Sequence, residues 1–419
     1  MKHDGPKGCM LEVDLTYPQE LHDSHNALPL APENVCFTPS PTTVALQQKL
    51  GLKNDSLPKL IPNLHDKVKY KVHYRALQQM LQLGMILTRV HRVLEFKQYP
   101  ILKSYIDFNT VQRAKATNDF EKDLYKLANN AIYGKTNENV ENHISVKFAQ
   151  NDKRALYYAG LPRTTGFRIF SNNLTAYKML QSRVTYNRPV MVGAAILDIS
   201  KTLVFDFHYN YVLPKYGKNA RLLFTDTDSL CYHITTPDIY EDMRSSSALF
   251  DMAGYEPRFQ TLADNAVFNK ENKKVIGKMK DEQAEPCSNQ DCERCRGSTP
   301  LPHAIRAFCG LRAKMYACEL IEHSSKMAAK GVKKSHVKSH IKFDNYSRAL
   351  FGSNAADLRQ SATFSAIRSF DHQVATVELT KTSLCAVDTK RYVLPDNIRT
   401  LAHGHYAIAE TEVEDSPMH

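Results

Sequence analysis

Two aspartates near the middle of the sequence carry the side chains best suited to metal chemistry. Asp226 and Asp228 flank Thr227 in TDTDS, and a β-prone apolar run lies on each side of that segment. The pattern predicts a hairpin with carboxylates at its tip. Residues two apart on a strand point the same way, so both carboxylates are expected to face one side and to suit Mg²⁺. Two such ions can stabilise the oxygens of a phosphoryl transfer, whereas the alternative is an ordinary acidic turn.

A helix over residues 118–134 is the best-defined element in the sequence. Asn118 precedes Glu121 by three residues, which is typical of a helix start, and Gly134 is expected to form a left-handed C-terminal cap. Its apolar residues fall at helical spacing and form one continuous face, made of Phe120, Leu124, Leu127, Ala128, Ala131 and Ile132. A separate polar stripe consists of Lys122, Lys126, Asn130 and Tyr133. Such a stripe can bind a triphosphate and its nucleoside, or it is simply a solvated helix face.

The surrounding sequence gives weaker indications of the elements that position these residues. The first sixty residues are rich in proline and are expected to contain no long helix. A strand-like segment at 71–74 leads into a helical pattern that ends before Pro100. The residues that define this pattern are Leu77, Leu81, Gly84, Leu87 and Val90. The aromatic segment 205–212 is expected to pack under a sheet.

Composition favours a soluble, folded chain with a polyanionic partner. The chain has 419 residues, with 55 Lys and Arg against 44 Asp and Glu, for a net charge of +11. Residues 270–348 hold 17 basic and 9 acidic residues, so most of the excess lies there. Nucleic acid is therefore the leading partner class. No apolar run or leader-like segment indicates a membrane or secretory route, and scattered cysteines fit a nuclear or cytoplasmic, intracellular location rather than a secreted one.

The two main motifs resemble those of a known family. KLANNAIYG at 126–134 looks like the KxxxNSxYG motif of family B DNA polymerases, and FTDTDS at 224–229 resembles their YxDTDS motif. GKMKDE at 277–282 is similar to the palm strand that follows that hairpin in the family. LRAKMY at 311–316 resembles the KxY motif, and AKGVKKS at 329–335 resembles the start of the thumb. LEVDLTYPQELHD and RYVLPDNIRTLAHGH resemble the protein-primed branch, especially polymerases of self-synthesising transposons and related viruses.

The resemblance implies an α+β fold in the right-hand arrangement of palm, fingers and thumb, with the aspartate hairpin on an antiparallel palm sheet. The expected domains are a partial palm with a protein-primed type of insertion (1–110), fingers (111–136), palm with a second insertion and the hairpin (137–317), and thumb with C-terminal region (318–419). By this resemblance, we expect the 419 residues to lack the exonuclease domain that usually precedes the palm. The chain is therefore expected to be the C-terminal part of a DNA-directed DNA polymerase.

The resemblance also implies a role for each matching residue. Asp228, with Asp226 beside it, would be the catalytic, metal-binding carboxylate, and Glu282 would lie near the metals. The incoming deoxynucleoside triphosphate would be bound by Arg113, Lys115, Lys126, Asn130 and Tyr133. Lys314 and Tyr316 would hold the primer strand of a primer–template. A terminal priming protein would be a further partner. Ala131 and Phe224 replace the usual Ser and Tyr.

One essential part of the family pattern is absent. The other metal carboxylate belongs to an upstream motif, DxxxLYG or DxxSLYP, which this sequence lacks. Asp14 in VDLTYP lies in a stretch that follows that motif in relatives, and we interpret it as structural. The predicted function is protein-primed, template-directed DNA synthesis in a chain that lacks its first catalytic motif. The alternative is a non-catalytic nucleic-acid-binding remnant of such a polymerase.

A cysteine-containing insertion allows one further alternative. Cys287, Cys292 and Cys295 form CxxxxCxxC, with His303 and Cys309 as possible fourth ligands of a structural Zn²⁺. The spacing lacks the second paired unit that closed zinc sites usually have, so a solvent-exposed loop is the preferred interpretation. A zinc-stabilised binding module remains the other one.

Overall fold

The computed structural model describes residues 5–53, 57–284, 304–320, 325–370 and 373–409. These residues combine helices with small antiparallel sheets of two or three strands. The chain divides into two compact units. The first comprises Met1–Tyr99, Ile199–Ala366 and Glu378–His419, and the second comprises Pro100–Asp198 and Ile367–Val377. None of the helices in the described ranges has the length and apolar character needed to cross a bilayer.

The N-terminal part of the first unit is built around a three-stranded sheet. Its elements are β1 (Lys7–Thr16), α1 (His22–His25), β2 (Glu33–Val35), α2 (Pro41–Lys49), β3 (Lys59–Ile61), β4 (Lys67–His73), α3 (Tyr74–Gln82) and β5 (Ile86–Lys97). β1 is the central strand and pairs antiparallel with β4 and β5, so that Met10 lies opposite His73 and Leu94. Val13 and Leu15 of β1 are buried in the main core. As the prolines predict, the helices of this segment are short. Ser40 caps α2, and Pro41 occupies the first position of that helix.

The predicted long helix before Pro100 is wrong in its second half. α3 ends at Gln82, and Gly84 then adopts a φ of 101°. This left-handed conformation stops the helix, because residues other than glycine adopt it at a cost. The β-branched residues of β5, such as Ile86 and Val90, favour a strand. Leucines on both sides of Gly84 had matched a helical spacing by coincidence.

The second unit contains a helical pair and a small sheet. Its elements are α4 (Lys103–Lys115), α5 (Asp119–Thr136), β6 (Ile144–Ala149), α6 (Asp152–Ala159), β7 (Thr164–Ser171) and β8 (Leu174–Leu180). β8 lies between β6 and β7, and all three strands are antiparallel. A small core is formed by Ala149, Tyr177 and Met179.

The helix predicted from 118 is confirmed at its start and differs at its end. The amide of Glu121 donates to Asn118 Oδ1 at 2.9 Å, which satisfies one amide of the first turn of α5. Gly134 lies inside the helix, which continues to Thr136, so the predicted glycine cap is wrong. The apolar stripe is exposed along much of its length: Phe120 is 77% exposed and Leu127 is 65% exposed.

The chain then forms a long helix that includes a π-helical turn. α7 (Val190–Asp206) continues into a π-helix (Phe207–Val212) and α8 (Leu213–Tyr216). The aromatic segment expected to pack under a sheet is thus helical, although Tyr209 and Val212 are buried as packing requires. Pro214 is the second residue of α8, directly after the π-helical turn.

The C-terminal part of the first unit contains several antiparallel strand pairs and a group of short helices, and the parts of two strands within Ile367–Val377 belong to the second unit. Its elements are β9 (Ala220–Asp226), β10 (Ser229–Ile234), α9 (Ile239–Ser245), β11 (Ile305–Arg312), β12 (Met315–Leu320), β13 (Lys326–Ala329), α10 (Lys334–His340), α11 (Phe343–Phe351), α12 (Ala355–Leu358), β14 (Arg359–Phe370), β15 (Gln373–Cys385), β16 (Tyr392–Val393) and β17 (Thr400–Leu401). β9 and β10 form a two-stranded sheet, and β12 lies between β11 and β13 in another. A core around Met315, Tyr346 and Leu384 holds the second sheet against α11.

The segment 277–282, expected to be a palm strand, is irregular. Its sheet contact is a single parallel bridge between Phe250 and Met279. Lys274 and Gly277 both adopt positive φ, at 60° and 88°. These left-handed turns interrupt the extended conformation that a strand needs.

Candidate functional site

The aspartate hairpin forms as the sequence predicts, with one difference at its tip. Ser229 pairs with Asp226, and the Asp228 amide donates to the Asp226 carbonyl at 2.8 Å. Thr227 adopts a φ of 62°. Asp228 therefore lies in the turn rather than on a strand, and the alternation of strand side chains does not determine its direction. The expectation that both carboxylates face one side for that reason is not supported by this geometry.

The residues of the KxY match lie against this hairpin. Lys314 occupies the turn between β11 and β12, with a φ of 60°. Its Nζ lies 2.8 Å from Asp226 Oδ1, and both side chains are partly exposed. The Lys314 carbonyl accepts a hydrogen bond from the Lys330 amide at 3.2 Å, which ties the turn to the end of β13. The carboxylate of one motif is thus neutralised by the cation of the other.

Aromatic stacking forms a second contact between the two hairpins. The rings of Phe224 and Tyr316 stack with their centroids 4.0 Å apart. Phe308 also stacks on Phe224, with their centroids 5.8 Å apart. Partial burial raises the pKa of Tyr316. Phe224, which stands where the family usually has Tyr, therefore serves as an aromatic platform for Tyr316.

Glu282 has a basic partner in the structure. It forms an ion pair with Lys326 of β13, and both side chains are more than half exposed. Both also interact electrostatically with Tyr316, so this pair lies in the neighbourhood of the two hairpins. Sequence reasoning missed Lys326, since no motif contains it and its role depends on the pairing of β12 with β13.

Asp14 has two structural partners, and both contact the same carboxylate oxygen. The Lys69 amide donates to Asp14 Oδ1 at 2.8 Å, and His91 Nε2 lies 2.7 Å from the same oxygen. These contacts lower the pKa of Asp14, the Lys69 amide having the largest effect. Asp14 lies on β1, between β4 and β5, whereas the aspartate hairpin is a sheet of its own. The geometry agrees with the interpretation of Asp14 as structural.

The proposed triphosphate-binding residues all lie in the second unit. Arg113 and Lys115 are in the last turn of α4. Lys126, Asn130 and Tyr133 are exposed on α5, and their spacing of four and three places them along one side of the helix. α4 and α5 contact each other: Tyr105 Oη donates to the Ala128 carbonyl at 3.5 Å, and Asn129 Nδ2 to Thr110 Oγ1 at 3.4 Å. Asp226, Asp228, Lys314 and Tyr316 belong to the first unit.

No preformed metal cluster is present in the parts of the chain that the structure describes. There, no three His, Cys, Asp or Glu side chains are grouped to hold an ion. Asp226 and Asp228 supply the hard oxygen donors that Mg²⁺ prefers. Cys287, Cys292, Cys295 and His303 lie outside the described residues, so the zinc alternative stays a prediction. Cys309 is buried on β11.

No protein-family model and no curated protein matches the chain. Two solved structures of Phi29 DNA polymerase are similar in fold. The post-translocation binary complex with primer-template DNA has a TM-score of 0.46 and 13% identity, covering 91% of this chain and 51% of that one. The ternary complex with primer-template DNA and incoming nucleotide substrates has a TM-score of 0.45 and 14% identity, covering 92% and 52%. The chain thus spans about half the length of these polymerases.

Proposed function

We propose that the chain is part of a DNA-directed DNA polymerase and that it binds primer–template DNA. The observation that carries the proposal is the contact between two motifs distant in sequence, through Asp226 with Lys314 and Phe224 with Tyr316. A cation and an aromatic hydroxyl next to a carboxylate hairpin are suited to hold the sugar–phosphate end of a primer beside a metal site. An acidic turn with no such neighbours would have favoured the alternative of a simple loop.

Each residue type has a distinct task in this proposal. Asp226 and Asp228 would hold Mg²⁺, which when bound neutralises charge on a triphosphate and activates a primer hydroxyl. Lys314 neutralises Asp226 in the structure described here and would contact the primer backbone. Lys126, on the exposed side of α5, would pair with triphosphate oxygens. Tyr133 would pack against the sugar or base of the nucleotide.

The 419-residue polypeptide itself is proposed to bind without extending. A two-metal centre needs a carboxylate from a second strand, and the upstream motif that supplies it in the family is not in this sequence. The Asp14 carboxylate is engaged by the Lys69 amide and by His91. This observation favours the second candidate, a non-catalytic nucleic-acid-binding remnant, for this polypeptide.

The finer assignments rest on the motifs alone. We assign the chain to the protein-primed family B branch, and within it to polymerases of self-synthesising transposons and related viruses that act in DNA replication. A terminal priming protein would be a partner, and the location would be nuclear or cytoplasmic. Palm, fingers and thumb would correspond to the ranges given above. An in-frame DxxxLYG encoded immediately upstream of Met1 would favour the active enzyme over the remnant.

DNA binding by matched variants tests the proposal. Fluorescence anisotropy of labelled primer–template is measured against salt for the wild type, Lys314→Ala and Lys153→Ala, the last being an exposed lysine of α6. Loss of one phosphate contact should weaken binding and reduce the slope of log affinity against log salt by about 1. Lys153→Ala should match the wild type. Equal affinities for all three proteins would contradict the role of Lys314.

A further inference from the structure

A largely apolar cavity in the first unit has no part in the site described above. It is lined by residues of α2, of the end of α11 and of the loop that follows β16, and its volume is about 460 Å³. Its walls include Leu46, Leu350, Leu358 and Val393. Small-ligand sites in proteins have volumes of roughly 300–1,000 Å³ and mostly apolar walls with a few polar groups. The cavity therefore has the size and the lining of a binding site.

The largest apolar side chain of the lining leaves much of its surface open. Phe351, the last residue of α11, is 66% exposed. No aromatic ring of the described residues stacks on it. Ile398 also lines the cavity and is 56% exposed. A flat ring that enters the cavity can stack on Phe351 and remove apolar surface from water.

Lys49 brings a positive charge to the same cavity. Its Nζ donates to the Ser353 carbonyl at 2.9 Å. That acceptor is neutral, and no carboxylate of the described residues forms an ion pair with Lys49. Because an ammonium group has three donors, Lys49 retains donors for an anion.

The one acidic residue among the described residues of the lining has its own basic partner. Asp396 Oδ2 pairs with Arg399 Nε at 2.5 Å. Its Oδ1 accepts from the amides of Ile398 and Arg399 at 2.9 and 2.8 Å. These contacts lower the pKa of Asp396 to about 2, the Arg399 side chain having the largest effect. The charge of Asp396 is thus compensated within its own turn, whereas that of Lys49 is not.

Asn397 adds an amide to the lining. Its backbone adopts a φ of 58°, a conformation that asparagine tolerates better than most residues. Its backbone amide donates to the Leu394 carbonyl at 3.0 Å, but its side-chain amide has no hydrogen-bond partner among the described residues. A carboxamide carries a donor and an acceptor side by side, which matches the hydrogen-bonding edge of a nucleobase.

We propose that this cavity binds one unpaired nucleotide of single-stranded DNA. The base stacks on Phe351, Asn397 bonds to the edge of the base, and Lys49 binds the adjoining phosphate. Apolar walls alone would suit many ligands, but an open ring, an unpartnered amide and one uncompensated cation together favour a nucleotide. The inference does not depend on the polymerase proposal, because none of these residues belongs to the aspartate hairpin, the KxY match or α5.

Preference for a normal over an abasic oligonucleotide tests the base contact. Fluorescence anisotropy measures the affinity of the whole chain for a labelled single-stranded hexanucleotide and for its abasic counterpart, which has the same phosphates. The wild type should prefer the normal oligonucleotide by about fivefold or more, because a base stacks on the ring. Phe351→Ala should remove most of this preference. Phe120→Ala is the matched control, since Phe120 is also exposed and lies on α5 of the second unit, and it should keep the preference.

A separate variant tests the phosphate contact. Lys49→Gln should weaken binding of the normal and the abasic oligonucleotides alike, and should reduce the slope of log affinity against log salt by about 0.7. Lys153→Gln, at an exposed position of α6, should match the wild type. Thermal unfolding of each protein identifies any variant that fails to fold, and Phe351→Leu then replaces Phe351→Ala.

Three results would overturn the proposal. The first is a wild type that binds the normal and the abasic oligonucleotides equally. The second is a folded Phe351→Ala protein that keeps the full preference of the wild type. The third concerns deoxyadenosine monophosphate: tight binding of this free nucleotide, lost in Phe351→Ala and without base-dependent binding of the oligonucleotide, would identify a small-molecule site instead.

Discussion

At the scale of single residues, the contact between Asp226 and Lys314 is the most informative feature of the chain. Its 2.8 Å ion pair joins two hairpins that are far apart in sequence. Both side chains are partly exposed, so the pair adds little to folding stability, roughly 0.5 kcal/mol. The ion pair therefore matters mainly for where it holds Lys314. It places this cation where a primer phosphate and a metal site would meet.

Asp228 is the residue whose removal should be most damaging to chemistry. In a longer form of the protein that extends primers, Asp228→Asn should abolish nucleotide addition and leave DNA affinity nearly unchanged, because the amide keeps the size of the carboxylate and removes its charge. Asp264→Asn makes the same change at another exposed turn residue, with a φ of 58°, and should be silent. Primer-extension assays in Mg²⁺ check both variants. Normal extension by Asp228→Asn would refute the metal-ligand role.

At the scale of elements, α5 presents its polar stripe to solvent. Lys126→Ala should raise the apparent KM for nucleotide far more than it weakens binding of duplex DNA, since a lost phosphate contact acts mainly on the ligand it touches. Steady-state kinetics of the same extending form measure the first quantity, and anisotropy measures the second. Lys153→Ala, on α6 of the same unit, is the control. Equal losses of nucleotide and DNA affinity would contradict the assignment.

The sequence predicted those elements whose signals are local. The aspartate hairpin follows from two β-prone runs around TDTDS, and the start of α5 follows from the cap at Asn118. The prediction of a helix through Gly84 is wrong, because the helical spacing of apolar residues extends past this left-handed glycine into residues that form β5. The predicted end of α5 at Gly134 is wrong, because the helix continues through this glycine to Thr136. Glycine is tolerated inside a helix at a cost in stability.

The contacts between elements could not be predicted from spacing. Lys314 was singled out by its motif, but its pairing with Asp226 depends on how the β9–β10 and β11–β12 hairpins fold together. The stacking of Phe224 on Tyr316 depends on the same packing of the two hairpins. Such groups arise from the tertiary fold, whereas caps and alternation are properties of a few neighbouring residues.

At the scale of the whole molecule, buried histidines make folding sensitive to acid. His25 Nδ1 lies 2.8 Å from Tyr17 Oη, and His208 Nδ1 lies 2.8 Å from Tyr232 Oη. Burial lowers the pKa of both histidines to about 4, from an ordinary value of 6.5. Between these values the unfolded chain binds protons that the folded chain excludes. Stability therefore rises with pH through this range and is lost as pH falls from 6.5 towards 4.

The denaturation midpoint should accordingly decrease as the pH is lowered from 7 to 4. Each buried histidine contributes roughly 3 kcal/mol at most across that range. His208→Gln should flatten the dependence, because it removes one group that must be protonated on unfolding. His233→Gln, at an exposed position of β10, should leave it unchanged. Circular dichroism in urea at several pH values makes the measurement, and equal slopes for the wild type and His208→Gln would contradict the burial argument.

The net charge of +11 predicts how the 419-residue polypeptide binds DNA. It should bind primer–template with little sequence preference and strong salt dependence, because the basic residues of 270–348 are expected to contact phosphates. It should extend a primer little or not at all, since Asp226 and Asp228 belong to one hairpin and Asp14 is held by Lys69 and His91. Extension that is lost in Asp14→Ala would show instead that Asp14 is the second carboxylate.

The most direct measurement locates the primer end on the protein. The chain is bound to a primer–template with a photoreactive thio-substituted thymidine at the primer 3′ end, irradiated, digested and analysed by mass spectrometry. The account predicts that adducts concentrate in the peptides containing residues 224–229 and 311–316, and that Lys314→Ala reduces their yield while Lys153→Ala does not. Adducts confined to other peptides, in a sample whose anisotropy shows full binding, would contradict the claim that these two hairpins hold the primer.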